Sequence, residues 1–426
     1  MVSAAVFTGI GVAAPNGLTV PVWWKATVGG ESGIRPVSRF DASGYPARLA
    51  GEVPGFDPAE HIPGRLLPQT DHMTRLALTA AQEAFDDSDT DPGRLPEYAA
   101  GVVTASSAGG FEFGQRELEA LWSKGGQYVS AYQSFAWFYA VNTGQISIRH
   151  GLRGPSGVLV TEQAGGLDAV AQARRRLRGG SRLIVTGGVD GAVCPWGWTA
   201  QLAGGRLSLA DDPARAYLPF DAAARGYVPG EGGAILILED AAAARARGAR
   251  VYGELAGYAA TFDAKPGGGR PGGAPALRRA VELALDDAGL APRDIDVVFA
   301  DAAGVPDLDR AEAEAITSVF GPRRVPVTAP KTMTGRLYAG GAALDLAAAL
   351  LSLRDALIPP TVHVTRLADG LELDLVTARP RPHPVRAALV LARGRGGFNA
   401  AAVVVAARPH RPAHCPRRPP SCPTGP

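Results

Sequence analysis

The alternation of short apolar segments with amphipathic segments constrains the fold of this chain more than any other feature. Apolar runs typical of buried strands occupy residues 99–107, 181–193, 232–240, 296–304 and 386–394. Helical patterns lie between them, at about 72–87, 113–124, 166–178, 275–289, 309–320 and 340–355. Strands that alternate with helices predict an α/β fold in which layers of helices cover buried sheets.

The chain divides near residues 240–250 into two halves that each begin with a strand-like segment, "AAVFTGIGVA" and "RVYGELAGYA". This pattern predicts a duplicated α/β unit, with an N-terminal half over 1–250 and a C-terminal half over 251–407. The remaining residues, 408–426, are rich in Pro and Arg and have no apolar period, which predicts a disordered tail. With 426 residues, 46% of them hydrophobic, the chain can bury a large core.

Charge and cysteine content narrow the classes of function. The formal net charge of +2 gives no reason to expect nucleic acid or a membrane surface as a partner. No apolar run approaches the roughly 20 residues that span a bilayer, and the first residues lack a signal-peptide pattern. The three cysteines, Cys194, Cys415 and Cys422, have neither disulfide-framework nor metal-site spacing. We therefore expect a cytoplasmic protein without a metal site.

A strand, a glycine-bearing turn and a helix follow one another in "GVLVTEQAGGLDAVAQARRRLRGG", residues 157–180. We expect a buried strand at 158–160. Enzymes often place a nucleophile on such an elbow, where backbone N–H groups and the helix N-terminus face it. This elbow carries Gln163, which is not a nucleophile. Cys194 follows a buried strand and precedes a proline, a setting that favours a packed structural cysteine over a catalytic one.

Five blocks of the chain resemble the ketosynthases of the thiolase fold, and the resemblance runs from about residue 2 to about 406. "VTEQAGGLDAV" is similar to the elbow of that family, with Gln163 in the place of the Cys. "FADAAGVPDLD" (299–309) resembles the block of the first catalytic His, where Ala303 stands instead. The third block is "PFDAAARGYVPGEGGAILILED" (219–240). The fourth, "APKTMTGRLYAGGAALD" (329–345), keeps the family Lys as Lys331 but has Arg336 in the place of the second His. The fifth is "RGRGGFNAA" (393–401), with Arg395 in the place of the gating Phe.

This set of replacements resembles one subfamily, the chain-length factors (ketosynthase-beta subunits) of bacterial type II aromatic polyketide synthases. "QSFAWFYAVNTGQISIRHG" (133–151) is a further mark of it. The resemblance implies two α/β halves stacked in a five-layer α-β-α-β-α sandwich. It also implies a heterodimer with a ketosynthase-alpha subunit that supplies the Cys and His residues, and substrates carried on a phosphopantetheinyl acyl carrier protein, with no cofactor of the chain's own.

The role of Gln163 has two interpretations. The resemblance implies that Gln163 assists decarboxylation of malonyl carrier protein to make the acetyl starter, and an amide at a helix N-terminus could hold a thioester carbonyl or an enolate-like oxygen. Alternatively, Gln163 only fills the space of the missing Cys. The aromatic-rich segment 126–150 likewise suits either a subunit interface or an internal core.

Phe111, Gly114 and Leu118 are spaced by three and four residues, so they share one helical face. Spacing alone is typical of a core stripe. The resemblance implies instead that this face lines the polyketide tunnel, that Gly114 and Leu118 leave its end open, and that Trp196 and Gly197 are further wall positions. A product of about ten ketide units would follow.

Three functions remain to be compared. The first is a chain-length factor that acts within a ketosynthase heterodimer. The second is a non-catalytic scaffold or binding protein on a degenerate thiolase fold. A stand-alone condensing enzyme that uses Cys194 is the third, and the absence of a Cys on the elbow argues against it.

Overall fold

The computed structural model describes residues 4–263 and 274–407. The predicted tail at 408–426 lies outside them. Within these ranges no helix is both long and apolar enough to cross a membrane. The strands are β1 (Ala5–Ala13), β2 (Ile34–Pro36), β3 (Leu49–Gly51), β4 (Ala100–Ala105), β5 (Ser156–Leu159), β6 (Leu183–Asp190), β7 (Gly232–Asp240), β8 (Gly253–Phe262), β9 (Val297–Phe299), β10 (Pro326–Thr328), β11 (Leu357–Ile358), β12 (Asp374–Leu375), β13 (Arg381–Pro382), β14 (Ala387–Gly394) and β15 (Phe398–Val405).

The helices alternate with these strands, as the sequence predicts. They are α1 (Val20–Gly29), α2 (Pro58–His61), α3 (His72–Ser88), α4 (Phe111–Lys124), α5 (Gln133–Ala136), α6 (Val141–His150), α7 (Gly165–Arg178), α8 (Pro195–Leu202), α9 (Pro213–Ala216), α10 (Ala241–Ala246), α11 (Ala274–Ala288), α12 (Pro306–Phe320) and α13 (Ala339–Asp355).

Eleven strands form a mixed sheet in the order β12-β10-β9-β14-β15-β8-β1-β7-β6-β4-β5. The N-terminal half contributes β1, β7, β6, β4 and β5, and the C-terminal half contributes the other six. The two halves join through a short antiparallel pairing of β1 with β8, in which Val6 lies opposite Glu254 and Phe7 opposite Gly253. Each half is therefore a mixed sheet, and the hydrogen bonding is continuous between them.

Alternate residues along the strands point to different hydrophobic cores, which defines five layers. In β6, Val185 belongs to the outer core beneath α3, whereas Ile184 belongs to the central core. In β14, Leu389 belongs to the outer core beneath α11, whereas Val390 belongs to the central core. Helices α7 and α13 fill the central layer between the two halves. The predicted α-β-α-β-α arrangement is confirmed.

The expectation of a buried strand at 158–160 is wrong for the single chain. Strand β5 pairs only with β4 and forms one end of the sheet. Its residues are partly or fully exposed, and Val160 is 46% exposed. The apolar run that suggested burial instead leaves an edge strand with an uncovered apolar side.

Candidate functional site

The elbow between β5 and α7 places Gln163 in the interior. A 3-10 turn, Glu162–Ala164, leads into α7. Glu162 has a φ of 53°, a left-handed conformation that is unfavourable for a residue with a side chain and makes the turn sharp. Gly166 is required here because a Cβ at this position would lie 2.6 Å from the backbone oxygen of Ala339 in α13. The elbow is thus held tightly against the central helix layer.

The amide of Gln163 is only 7% exposed. Its Nε2 donates a hydrogen bond to Glu162 Oε1 at 3.2 Å. Its Oε1 faces α13, where a Cβ added to Gly341 would lie 3.3 Å away. The side chain therefore has a hydrogen-bond partner in Glu162 and a close glycine in Gly341, an arrangement compatible with both interpretations of its role.

Arg336 is buried and forms a two-pronged ion pair with Asp301. Its Nη2 donates to Asp301 Oδ1 at 3.0 Å and to Oδ2 at 3.2 Å, and its Nη1 donates to the Asp301 backbone oxygen at 2.8 Å. Burial alone would lower the pKa of Arg336, but the charge of Asp301 outweighs it and holds the pKa well above the ordinary value. Burial alone would raise the pKa of Asp301, and the charges of Arg336 and Lys331 outweigh it, so that pKa is lowered. Neither group can accept a proton near neutral pH.

Lys331 extends this ion pair into a cluster of four charges. Its Nζ donates to the backbone oxygen of Asp301 at 3.0 Å and lies 2.6 Å from Asp345 Oδ2. All four side chains are almost fully buried. Two positive and two negative groups give the cluster no formal net charge, which makes its burial tolerable.

Ala303 lies in the loop that follows β9. Two buried carboxylates accept hydrogen bonds from the backbone of this loop. Glu312 accepts N–H bonds from Asp301 and Ala302, at 2.7 and 2.8 Å. Asp309 accepts one from Gly304 at 2.9 Å. Burial raises the pKa of Asp309 to about 8, and burial together with the charge of Asp301 raises the pKa of Glu312 to about 7. Sequence reasoning missed these carboxylates, although Asp309 is the last residue of the block that carries Ala303 and Glu312 follows it by three positions.

A cavity of about 340 Å³ brings three of the predicted positions together. Ala303, Arg336 and Arg395 all line it. Gln163 is not among its lining residues, and the elbow contributes Glu162 instead. Glu162 Oε2 also accepts the backbone N–H of Arg395 at 2.7 Å, which ties the loop after β14 to the elbow. Glu162, one position before Gln163, is thus a further residue that sequence reasoning missed.

Cys194 is packed inside the protein. It is 4% exposed and immediately precedes α8. Burial raises the pKa of its thiol, which keeps it in the unreactive protonated form. In the described ranges no group of three His, Cys, Asp or Glu side chains could hold a metal ion.

The structure brings Phe111, Gly114 and Trp196 into one cluster at the start of α4. The rings of Phe111 and Trp196 have centroids 4.7 Å apart. Leu118 is half-buried one turn further along the helix. Gly197 lies against Ala192, whose backbone oxygen would be 2.4 Å from an added Cβ. The resemblance implied an open space over Gly114. In the single chain this space is occupied, because Trp196 Cζ3 would lie 3.1 Å from a Cβ at this position.

Two buried aspartates hold the start of α4. Asp71 Oδ2 accepts the N–H of Phe113 at 2.8 Å, while its Oδ1 accepts the N–H of Met73, so one carboxylate caps both α4 and α3. Asp190 Oδ2 accepts the N–H of Ser107 at 2.6 Å in the loop that precedes α4. Burial raises the pKa of Asp190 to about 7. Single-residue patterns gave no signal for either contact.

The comparison with known proteins agrees with this fold. Residues 4–244 match the family described as Beta-ketoacyl synthase, N-terminal domain, and residues 252–365 match Beta-ketoacyl synthase, C-terminal domain. The chain therefore belongs to the beta-ketoacyl synthase family. Within that family it is of the ketosynthase-beta, or chain-length-factor, type.

Individual relatives cover nearly the whole chain. The tetracenomycin polyketide synthase ketoacyl synthase beta subunit of Streptomyces glaucescens is 63% identical over 401 residues, which are 94% of this chain and 97% of the relative. The ishigamide ketosynthase/chain length factor has a TM-score of 0.87 at 28% identity, covering 96% of this chain and 100% of that one. A type II polyketide synthase acyl carrier protein in complex with its ketosynthase bound to the hexaketide gives a TM-score of 0.86 at 26% identity, covering 96% and 100%.

Proposed function

We propose that this chain is the chain-length-determining subunit of a type II polyketide ketosynthase and that it has no condensing nucleophile of its own. It works beside a ketosynthase-alpha subunit on intermediates carried by a phosphopantetheinyl acyl carrier protein, in the cytoplasm and without a cofactor. It shapes the tunnel in which the chain grows by decarboxylative Claisen condensation, to about ten ketide units. The predicted boundary near residue 250 between its two halves is part of the same proposal.

The main support for the proposal is that Arg336 is charged and paired with Asp301. Condensation by an acyl-enzyme needs a nucleophile and groups that move protons or stabilise an oxyanion near it. Here the guanidinium of Arg336 is permanently protonated and fully engaged with Asp301. Ala303 has no side chain that could transfer a proton, and Gln163 cannot form a thioester. The chemistry of bond formation must then come from another chain.

Exposed aromatic residues support a partner. Six large aromatic side chains on α4 or between α4 and α6 are exposed, namely Trp122, Tyr128, Tyr132, Trp137, Phe138 and Tyr139. The edge strand β5 and Val160 add a further apolar side. Aromatic side chains are enriched at subunit interfaces, and an unpaired strand edge offers backbone donors and acceptors to a second chain. We infer that the ketosynthase-alpha subunit covers this surface.

Gln163 completes the proposal as a group that assists priming. Its amide is buried beside the first turn of α7, where the positive end of the helix dipole stabilises a developing negative charge. The competing interpretation, in which the side chain only fills space, makes the same contacts but no contribution to decarboxylation.

Reconstitution tests the function directly. The chain is co-expressed with a ketosynthase that carries an elbow Cys, and both are incubated with malonyl carrier protein. We expect a complex of equal stoichiometry, polyketide only from the pair, and an acyl adduct on the partner alone by mass spectrometry. The matched control is a partner whose elbow Cys is replaced by Ala. An acyl adduct on this chain, or a chain that is well behaved alone and does not affect the partner, would overturn the proposal in favour of a stand-alone enzyme or a scaffold.

A further inference from the structure

We infer that Trp137 is a specificity-determining residue for chain length, because it closes the wall at Gly114 together with Trp196. This inference rests on the proposed function of the chain. It adds a residue from the aromatic segment after α4 to the predicted wall, which otherwise comes only from α4 and α8.

The contacts around Gly114 define the wall. A Cβ at Gly114 would lie 3.1 Å from Cζ3 of Trp196 and 3.6 Å from Cβ of Trp137. The two tryptophans therefore lie close to the same backbone position, one from α8 and one from the turn that follows α5. The ring of Phe111 packs on Trp196 at 4.7 Å between centroids. A glycine at 114 is what allows these side chains to approach α4 so closely.

The backbone of Trp137 is fastened to the start of α4. Its carbonyl oxygen accepts the N–H of Gly110 at 2.9 Å. A Cβ at Gly109 would lie 2.6 Å from the same oxygen, so glycine at 109 is required for this approach. Asp190 and Asp71 hold the neighbouring residues of the same loop and helix. Trp137 is therefore placed relative to Gly114 by fixed backbone contacts, in contrast to a side chain on a loose surface segment.

Both indoles remain partly uncovered in the single chain. Trp137 is 47% exposed and Trp196 is 40% exposed. A side chain that only fills a core would be buried, and one that only meets a partner would not also contact the helix face of Gly114. Trp196, through its ring, and Trp137, through its Cβ, thus lie beside the same position of α4 while part of each side chain stays open to whatever covers the chain. Since packed walls respond to changes of a single methylene, the size of residue 137 limits how far a growing chain can extend there.

The test uses the reconstituted heterodimer and compares Trp137→Ala and Trp137→Phe with wild type. Products are sized by mass spectrometry at equal amounts of assembled complex, measured by size-exclusion chromatography. We expect about a threefold or larger rise in the ratio of longer to normal chains for Trp137→Ala, and a smaller rise for Trp137→Phe, because the removed indole leaves space at the wall. Tyr98→Ala is the matched control, since Tyr98 is a large aromatic residue that is 68% exposed and is not one of the aromatic residues assigned to the partner surface.

The outcomes separate the inference from the function on which it rests. Leu118→Phe is measured in parallel as a test of chain-length control itself. If Leu118→Phe shortens the products and neither Trp137 variant changes their distribution, the inference is wrong and the function stands. If neither Leu118→Phe nor the Trp137 variants change chain length, the proposed function fails. Should Trp137→Ala prevent assembly, Trp137→Phe decides, and an unchanged distribution in its complex overturns the inference. An equal shift for Tyr98→Ala would also overturn it.

Discussion

Arg336 and Asp301 face each other as a buried, doubly hydrogen-bonded ion pair, with 3.0 Å between Nη2 and Oδ1. The pair lies beside the cavity that Ala303 and Arg395 also line. In this arrangement Arg336, which the family resemblance predicts to stand where a catalytic histidine would be, is a structural cation. The opposite charge of Asp301 compensates it inside the protein.

Removal of Arg336 should be strongly destabilising. Arg336→Met leaves the Asp301 carboxylate buried without its main counter-charge, and we expect a loss of about 3 to 5 kcal/mol in the free energy of unfolding. Urea denaturation of the purified complex measures it. The double variant Arg336→Met with Asp301→Asn should recover part of the loss, because no unpaired charge remains.

An exposed pair provides the control for this experiment. Arg354 and Asp355 are adjacent and partly exposed, with 2.6 Å between Nε and Oδ1. Arg354→Met should cost below about 1 kcal/mol because water screens such pairs. Equal losses for Arg336→Met and Arg354→Met would show that burial of the Arg336–Asp301 pair has no energetic consequence.

The layered fold was predictable because its signals are local. The apolar periods that predicted helices at about 72–87, 166–178 and 340–355 correspond to α3, α7 and α13 within one residue at each end. Each of these helices presents an apolar face, and the strands β4, β6 and β7 against which they pack are almost entirely buried. Such patterns depend only on residues that are neighbours in the sequence.

The details of the site depended on contacts between distant residues. Asp301 and Arg336 are 35 positions apart. The ring of Trp196 occupies the space over Gly114, which helical spacing alone presented as open. Strand β5 has the composition of a buried strand but lies at the sheet edge. The sequence could not predict this, because the residues of a strand do not specify how many strands pair with it. Packing between elements, and not local pattern, determines these features.

Gln163→Ala tests the role of the elbow amide. If Gln163 stabilises negative charge during decarboxylation, the complex should lose about 10- to 100-fold in the rate of self-priming, at or below the loss of about 100- to 1000-fold for a full oxyanion-hole donor. A ready-made acetyl starter should restore the rate. Carbon dioxide release from malonyl carrier protein measures the step. Gln172→Ala, at a half-buried glutamine further along α7, is the matched control. An unchanged rate of decarboxylation would favour the space-filling interpretation.

The buried carboxyl of Asp309 should make stability depend on pH. Burial raises its pKa from 3.8 to about 8. Between these values the folded state holds a proton that the unfolded chain has lost, so stability falls as pH rises. Relative to Asp309→Asn, which cannot ionise, wild type should lose up to about 1.4 kcal/mol of unfolding free energy per pH unit within this window.

Urea titrations at several pH values within that window measure how the unfolding free energy of each protein changes with pH. Because only this slope is compared, a constant difference in stability caused by altered hydrogen bonding in Asp309→Asn cancels. Asp307→Asn is the control, because Asp307 lies on the same helix and is exposed. Parallel stability curves for wild type and Asp309→Asn would contradict the prediction.

Larger residues on the predicted tunnel face of α4 should shorten the product. Leu118→Phe adds volume one turn beyond the Phe111–Trp196 cluster, and Gly114→Thr must displace the ring of Trp196, which would lie 3.1 Å from the new Cβ. Trp196 is partly exposed, so its ring can move away from α4 and into the space beyond.

Both changes reduce the space at the predicted tunnel end, where packing is sensitive to the volume of a single methylene group. The double variant in the reconstituted complex should therefore make chains shorter than about ten ketide units, with total turnover partly retained. Mass spectrometry of the products decides the matter, and products of unchanged length at similar yield would mean that this face of α4 does not line the tunnel.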